Sequence, residues 1–144
     1  MAHLSIVGMG YVGLPLALAF DTAGHDVVGF DTSERKIARL QRGDDPTNEA
    51  GPESVERSDI AFTTARSDIE SSDYYVITVP TPIDGSGEPD LSFVEAAGET
   101  VGESLTDGST VVLESTVYPG ATREVLLPVL ERPAGKTAGT DFHV

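Results

Sequence analysis

The sequence predicts an α/β fold in which a doubly wound parallel sheet is covered by helices on both faces. Segments rich in Val and Ile alternate with helix-type segments along the chain of 144 residues, the order that crossover helices between parallel strands require. The strand-type segments are almost continuously apolar, as strands buried on both faces should be. This length suits one hydrophobic core, so we expect a single domain over residues 1–144.

Five strands and four helices follow from this alternation. The strands are predicted at residues 3–7, 26–30, 60–63, 74–79 and 109–114. The helices are predicted at residues 11–23, 33–42, 91–105 and 120–130. Residues 140–144 resemble the opening of another strand, so we expect a sheet that is truncated at its C-terminal end.

Individual residues predict where these elements end. Gly24 suits the C-terminal turn of the first helix, and Asp90 suits the N-cap of the third. Pro128 lies inside the last helical segment, where we expect a kink or a restart because proline cannot donate the helical hydrogen bond. Residues 43–57 have no periodicity and are expected to form a mobile acidic surface loop.

The composition excludes several classes of function. Asp and Glu number 24 against 9 Lys and Arg, a net charge of −15, which repels a phosphodiester backbone, so no nucleic-acid partner is expected. No apolar run is long enough to cross a bilayer and no signal peptide is visible, so we expect no membrane partner and a cytoplasmic location. The acidic surface fits a protein that works in high salt as well as an ordinary solvated one. Because the chain has no cysteine, disulfides, thiolate metal sites and cysteine nucleophiles are excluded. No residue is expected to bind a metal.

The strongest motif is the pattern GMGYVG over residues 8–13. Such a pattern is weak alone, but here it lies between a strand and a helix. Gly8 would permit the tight turn, Gly10 would let a pyrophosphate approach the backbone, and Gly13 would let the helix pack on the strand. The free N–H groups at the start of that helix would then meet the phosphates. The motif predicts a Rossmann-type domain that binds a dinucleotide.

The acidic residue at the end of the second strand indicates which dinucleotide. Asp31 lies 18 residues after Gly13, close to the spacing of the carboxylate that accepts hydrogen bonds from the adenosine ribose. A carboxylate there repels the extra phosphate of NADP, so NAD is the expected cofactor. Arg35 and Lys36 lie nearby and are interpreted either as solvated residues of the second helix or as ribose contacts. Binding of FAD would need further elements, which the sequence does not display.

Two more segments follow predicted strands. The sequence VPTP at residues 79–82 ends the fourth strand, and ESTVYPG at residues 114–120 ends the fifth. Ligands of open α/β sheets bind beyond the carboxyl ends of the strands, so these turns and the glycine motif should share one crevice. Each segment taken alone would be an ordinary strand-to-helix turn.

Together these motifs resemble the UDP-glucose/GDP-mannose dehydrogenase family over essentially the whole chain. The sequences VGMGYVGLP at residues 7–15, VPTP, PDLS at residues 89–92 and ESTVYPGAT at residues 114–122 occur in the family's order. The sequences of these motifs are most similar to those of the branch that acts on UDP-N-acetylmannosamine or UDP-N-acetylglucosamine.

The resemblance implies a two-step oxidation of the sugar C6 alcohol to a carboxylate that consumes two molecules of NAD, and a role in polysaccharide biosynthesis. It also implies a catalytic cysteine, lysine and asparagine, none of which has a matching position here. Thr116 matches the family's threonine near the reacting carbon and is the one catalytic-type residue carried over. The cofactor contacts expected from motif and resemblance together are Gly8, Gly10, Tyr11, Val12, Gly13, Asp31, Lys36, Pro80, Thr81, Glu114, Ser115 and Thr116.

We therefore expect the NAD-binding domain of a nucleotide-sugar 6-dehydrogenase that is inactive alone. The substrate-binding domain would be absent from this chain, the UDP-sugar would bind only with the missing C-terminal part, and the full-length protein would be a homodimer. One alternative is a stand-alone regulatory module that senses NAD. Another is a hydroxyacid-type dehydrogenase, which would share the glycine motif but not the segment at residues 114–120.

Overall fold

Five parallel strands form one sheet in the computed structural model, which describes residues 1–51 and 53–144. The strand order is β3-β2-β1-β4-β5, with every neighbouring pair parallel. The strands are β1 His3–Val7, β2 Asp26–Phe30, β3 Ala61–Thr63, β4 Tyr74–Ile77 and β5 Thr110–Leu113. The helices are α1 Gly13–Thr22, α2 Glu34–Gln41, α3 Ser92–Gly102 and α4 Leu127–Ala134. The predicted α/β class is confirmed, and the strands begin and end within two residues of the predicted positions.

Apolar side chains cover both faces of the sheet. In β4, Tyr75 and Ile77 pack into the core on the side of α3 and α4, whereas Val76 between them packs on the side of α1 and α2. Because successive side chains of a strand point to opposite faces, a strand buried on both sides is apolar at nearly every position. This explains the continuous Val and Ile runs from which the fold was predicted.

The last helix is irregular, as the proline in its sequence predicted. Residues Thr122–Leu126 form a π-helical stretch, and the α-helix restarts at Leu127 with Pro128 in its first turn. A proline in the first turn gives up an N–H that has no partner inside the helix, so the restart accommodates it. Gly24 follows Ala23, the C-cap of α1, and has a φ of +89°, which confirms the predicted C-terminal turn.

One expectation about local structure needs correction. Helix α3 starts one residue later than an Asp90 cap requires, with Leu91 in the cap position. The Asp90 carboxylate accepts a hydrogen bond from the N–H of Ser92. Hydrogen bonding from the side chain of Ser92, and then from its N–H, lowers the pKa of Asp90.

The segment at residues 43–57 is irregular and largely at the surface in its described residues, as predicted, and its first part is organised around the buried carboxylate of Asp45; its mobility stays a prediction. Asp45 accepts hydrogen bonds from the N–H and hydroxyl of Thr47 and from the N–H of Ala50. Burial opposes the charge on Asp45, but these hydrogen bonds outweigh it and the pKa is lowered. Propensity and periodicity carry no signal for this arrangement, since it depends on one side chain turned inward. Pro52 of this segment lies outside the described residues.

Two glycines let α3 and α4 approach each other closely. A Cβ at Gly98 would overlap the side chain of Val129. A Cβ at Gly102 would lie 2.6 Å from Cγ of Pro133 and 2.7 Å from the carbonyl oxygen of Leu130. The spacing of four residues places both glycines on one face of α3. The four-residue spacing of these glycines is a sequence signal for a close approach of another element to α3.

We predict that Gly102→Ala destabilises the domain, because part of the obstruction is backbone and cannot rotate away. Overpacking costs about 1–3 kcal/mol, against a gain of up to about 1 kcal/mol in helix propensity. Denaturant unfolding should therefore show a lower free energy of unfolding. Gly85→Ala is the matched control, since a Cβ there meets nothing within 4 Å and the change should stay within about 0.5 kcal/mol. Equal stability of the two variants would contradict the packing argument.

Candidate functional site

A cleft of about 660 Å³ lies at the carboxyl ends of the strands. It is lined by the glycine turn after β1, by residues following β2, β4 and β5, and by one face of α3. The strand order reverses beside it: the chain runs outward from β1 through β2 to β3 and then crosses back to β4 on the other side of β1. Crevices at such a reversal of strand order are where open α/β sheets bind their ligands.

Eleven of the twelve predicted cofactor residues line this one cleft. They are Gly8, Gly10, Tyr11, Val12, Asp31, Lys36, Pro80, Thr81, Glu114, Ser115 and Thr116. The twelfth, Gly13, is buried beneath the turn. The structure therefore brings together residues that lie more than one hundred positions apart in the sequence.

The three glycines of the turn have different surroundings. Gly8 is buried with a φ of +107° and donates its N–H to the carbonyl oxygen of Phe30 at 2.8 Å. A Cβ at Gly13 would overlap the carbonyl oxygen of Gly8, whereas a Cβ at Gly10 would meet nothing within 4 Å. Gly8 and Gly13 are thus needed by the fold itself, and Gly10 faces open space.

The start of α1 offers unpaired donors to this space. Within the described part of the chain, no acceptor takes the N–H groups of Gly10, Tyr11 or Val12. The side chains of Tyr11 and Val12 are exposed. Several N–H groups at a helix N-terminus form a site for phosphate oxygens, and the helix dipole adds to the attraction.

Asp31 is buried and its carboxylate is already engaged. Oδ2 accepts the N–H of Met9 at 2.8 Å and the ammonium of Lys36 at 3.0 Å, while Oδ1 accepts the N–H of Ser33 at 2.9 Å. A carboxylate oxygen has two acceptor positions, so Oδ1 keeps one for a hydroxyl. Lys36 is therefore an ion-pair partner of Asp31 as well as a cleft residue, whereas Arg35 is exposed to solvent.

The ends of β4 and β5 are joined by a hydrogen bond. The hydroxyl of Ser115 donates to the carbonyl oxygen of Val79 at 2.7 Å. Glu114 and Thr116 on either side of it are exposed and face the cleft. This bond fixes the two loops relative to each other, with the carboxylate of Glu114 and the hydroxyl of Thr116 lining the cleft beside it.

Sequence reasoning missed part of the cleft. Thr78, Phe93 and Thr100 line it, and so do Pro46 and Thr47 of the segment that Asp45 organises. Phe93 and Thr100 lie seven positions apart, two turns of α3, so helical periodicity could have placed them on one face. No sequence pattern pointed to Pro46 and Thr47, because their position depends on the folded loop.

The structure shows no helix, within the residues it describes, that is long and apolar enough to cross a membrane.

The chain matches known proteins along its full length. Protein CapL of Staphylococcus aureus is 44% identical over 142 residues, which is 99% of this chain and 33% of CapL. The UDP-N-acetyl-D-glucosamine 6-dehydrogenase of Pseudomonas aeruginosa is 44% identical over 140 residues, 96% of this chain and 33% of that enzyme. The chain thus spans about a third of the length of the curated relatives it matches.

Solved structures of similar proteins superpose closely on this fold. A GDP-mannose dehydrogenase from Pseudomonas aeruginosa, solved as a ternary complex, gives a TM-score of 0.90 at 35% identity and covers 98% of this chain and 34% of its own. The UDP-D-ManNAc dehydrogenase of Pyrococcus horikoshii gives a TM-score of 0.88 at 32% identity, covering 97% and 34%. The sequence model of the UDP-glucose/GDP-mannose dehydrogenase family, NAD binding domain, matches residues 2–144. The chain belongs to the UDP-glucose/GDP-mannose dehydrogenase family, and it is the NAD-binding domain of that family.

Proposed function

We propose that this chain is the cofactor-binding part of a nucleotide-sugar 6-dehydrogenase that oxidises the C6 alcohol of a UDP-N-acetylhexosamine to the uronate. The observation that carries the proposal is the single cleft in which the glycine turn meets the segment at residues 114–116. The sugar is chosen because the 44% identical relative from Pseudomonas aeruginosa is named a UDP-N-acetyl-D-glucosamine 6-dehydrogenase, and a structural neighbour is named for UDP-D-ManNAc.

The residues of the cleft fit NAD. The pyrophosphate would lie against Gly10, where the backbone is open, and would accept the N–H groups of Tyr11 and Val12. The adenosine ribose would donate a hydroxyl to the remaining acceptor position of Asp31, with Lys36 beside it. When bound, NAD supplies the acceptor for the hydride that leaves the sugar alcohol.

The ends of β4 and β5 would line the nicotinamide half of the cofactor. Pro80 and Thr81 would form one wall there, and Glu114 and Ser115 the other. Thr116 would direct its hydroxyl toward a water or the substrate beside the reacting carbon. Hydroxyl groups held by a rigid sheet can orient a reactant, and orientation is a large part of catalytic rate.

Covalent oxidation through a thiohemiacetal needs a thiolate, and this chain has no cysteine. We therefore assign the sugar-binding residues and the nucleophile to the remaining two thirds of the length of such proteins. Homodimer formation, a cytoplasmic location, adaptation to high salt and a role in polysaccharide biosynthesis stay predictions.

We expect a protein that contains residues 1–144 together with this remainder to oxidise UDP-N-acetylglucosamine or UDP-N-acetylmannosamine in preference to UDP-glucose and GDP-mannose. Absorbance of NADH should rise by two equivalents per sugar, since alcohol to acid is a four-electron oxidation. The 144-residue chain alone should bind NAD and form no NADH. Sustained NADH formation by the chain alone would refute the division of roles proposed here. NAD binding without turnover by the longer protein would favour a sensing module.

In the same longer protein, Thr116→Val should lower kcat on the order of tenfold or more, because a misplaced reactant loses its orientation. Thr116→Ser keeps the hydroxyl and should retain most of the rate. Equal kcat values for the Val and Ser variants would show that the Thr116 hydroxyl has no role in the reaction.

Gly10→Val should abolish NAD binding while leaving the fold intact. The added side chain would enter the open space in which the pyrophosphate is placed, and it meets no protein atom within 4 Å at its Cβ. Calorimetric titration with NAD and thermal unfolding test the two halves of this statement. The control variant is Gly24→Asn. The surroundings of Gly24 are equally open, and asparagine tolerates the positive φ there. Unchanged NAD affinity in the Gly10 variant would refute the site.

Asp31→Asn should raise the affinity for NADP relative to NAD. Two like charges about 4 Å apart repel by about 4 kcal/mol at an effective dielectric near 20. Lys36 offsets part of this repulsion in the native chain, so we expect a several-fold change and not the full effect. The matched control is Glu34→Gln, which removes an exposed carboxylate from α2. The Kd values for NAD and NADP should both be measured in low salt. If the two variants changed the ratio of these Kd values equally, the effect would not be specific to Asp31.

A further inference from the structure

We propose that Thr78 is a positioning residue for the cofactor: its hydroxyl sets the orientation of the peptide between Gly8 and Met9, and thereby of the turn that receives the pyrophosphate. The proposal rests on the proposed binding of NAD at that turn. Thr78 follows the last residue of β4 and is buried at the floor of the cleft. It lies next to the segment VPTP and outside every motif that identified the site.

The peptide between Gly8 and Met9 is held at both of its polar atoms. The Thr78 hydroxyl donates to the carbonyl oxygen of Gly8 at 2.8 Å. The N–H of the same peptide, which belongs to Met9, donates to Oδ2 of Asp31 at 2.8 Å. One bond reaches across from β4 and the other from β2, so the peptide plane is fixed between the two strands that flank β1.

The hydroxyl proton is directed mainly to Gly8. The carbonyl oxygen of Val7 is also within reach of the hydroxyl, at 3.2 Å, but it already accepts the N–H of Thr78 at 2.9 Å. The Gly8 carbonyl is buried with its residue, and a buried carbonyl without a donor is costly. Without the hydroxyl, the Gly8 carbonyl would lose this donor, and rotation of the peptide toward another donor would lower the free energy.

Rotation of this peptide would be transmitted to the donors of the cleft. Gly8 has a φ of +107°, and a Cβ there would lie 3.1 Å from backbone atoms of Thr78 and Val79. A Cβ at Gly13 would lie 2.5 Å from Oγ1 of Thr78. The turn therefore rests directly on Thr78, and the N–H groups of Gly10 and Tyr11 follow the peptide that the hydroxyl orients. Gly8 allows this rotation on its side of the peptide because a glycine backbone is little restricted.

The test compares Thr78→Ala with Thr78→Ser in the 144-residue chain, since these variants differ from each other by the hydroxyl alone. Titration calorimetry measures Kd for NAD and for ADP, which both carry the pyrophosphate, and for adenosine, which does not. We expect Thr78→Ala to bind NAD and ADP about five- to tenfold more weakly, the effect of one hydrogen bond, and adenosine within about twofold of the native chain. Thr78→Ser should bind all three like the native chain.

Ser109→Ala is the matched structural control. Ser109 is buried, and its hydroxyl also donates to a backbone carbonyl, that of Ser72, at the opposite end of the sheet. The Ser109→Ala variant should have a lower thermal unfolding temperature than the native chain and an unchanged Kd for NAD.

Three results would overturn the positioning role of Thr78: equal NAD affinity of the Ala and Ser variants, a loss in the Ser variant, or an equal loss for NAD and adenosine. A native chain that binds neither NAD nor ADP would instead refute the proposed cofactor site, and the role of Thr78 with it.

Discussion

The contact between Gly13 and the carbonyl of Gly8 is the constraint on which the rest of the structure depends. With any side chain at Gly13, the first turn of α1 would overlap the backbone that it has just left. Only a hydrogen atom there lets the helix begin immediately beyond β1, over the carboxyl end of the central strand. Because α1 begins there, its unpaired N–H groups open into the cleft, and its other face buries Leu14 and Ala17 against the sheet.

The backbone N–H groups of the cleft contribute more to the attraction of an anion than its side chains do. Among the described residues that line it, Lys36 is the only basic one, and it is paired with Asp31. Glu114 adds a second carboxylate to the lining. In a chain with a net charge of −15, a phosphate group is attracted by the oriented N–H groups of a helix start, whose partial charges are fixed by the fold. This dependence on peptide orientation explains why hydrogen bonds to the turn, such as that of Thr78, bear on ligand binding.

Much of the fold and the site could be predicted from local patterns. The mostly apolar runs identified every strand of the sheet, since burial on both faces favours apolar residues at successive positions. The glycine spacing identified the turn because it follows from the backbone. Gly8 has a φ of +107°, which favours glycine, and Gly13 has no space for a Cβ. The rule that ligands bind at the carboxyl ends of parallel strands then placed the β4 and β5 segments in the same cleft.

The sequence by itself therefore determined the succession of strands and helices along the chain, the glycine turn and the residues that gather at one edge of the sheet. Each of these follows from periodicity or from the steric needs of single residues. Only the tertiary structure decided the pairing of Asp31 with Lys36, the inward turn of Asp45 and the bond from Thr78 to Gly8. Thr78 and Gly8 are 70 residues apart in the chain. Each of these arrangements depends on which side chain meets which backbone group once the core has closed, and no local pattern records that encounter.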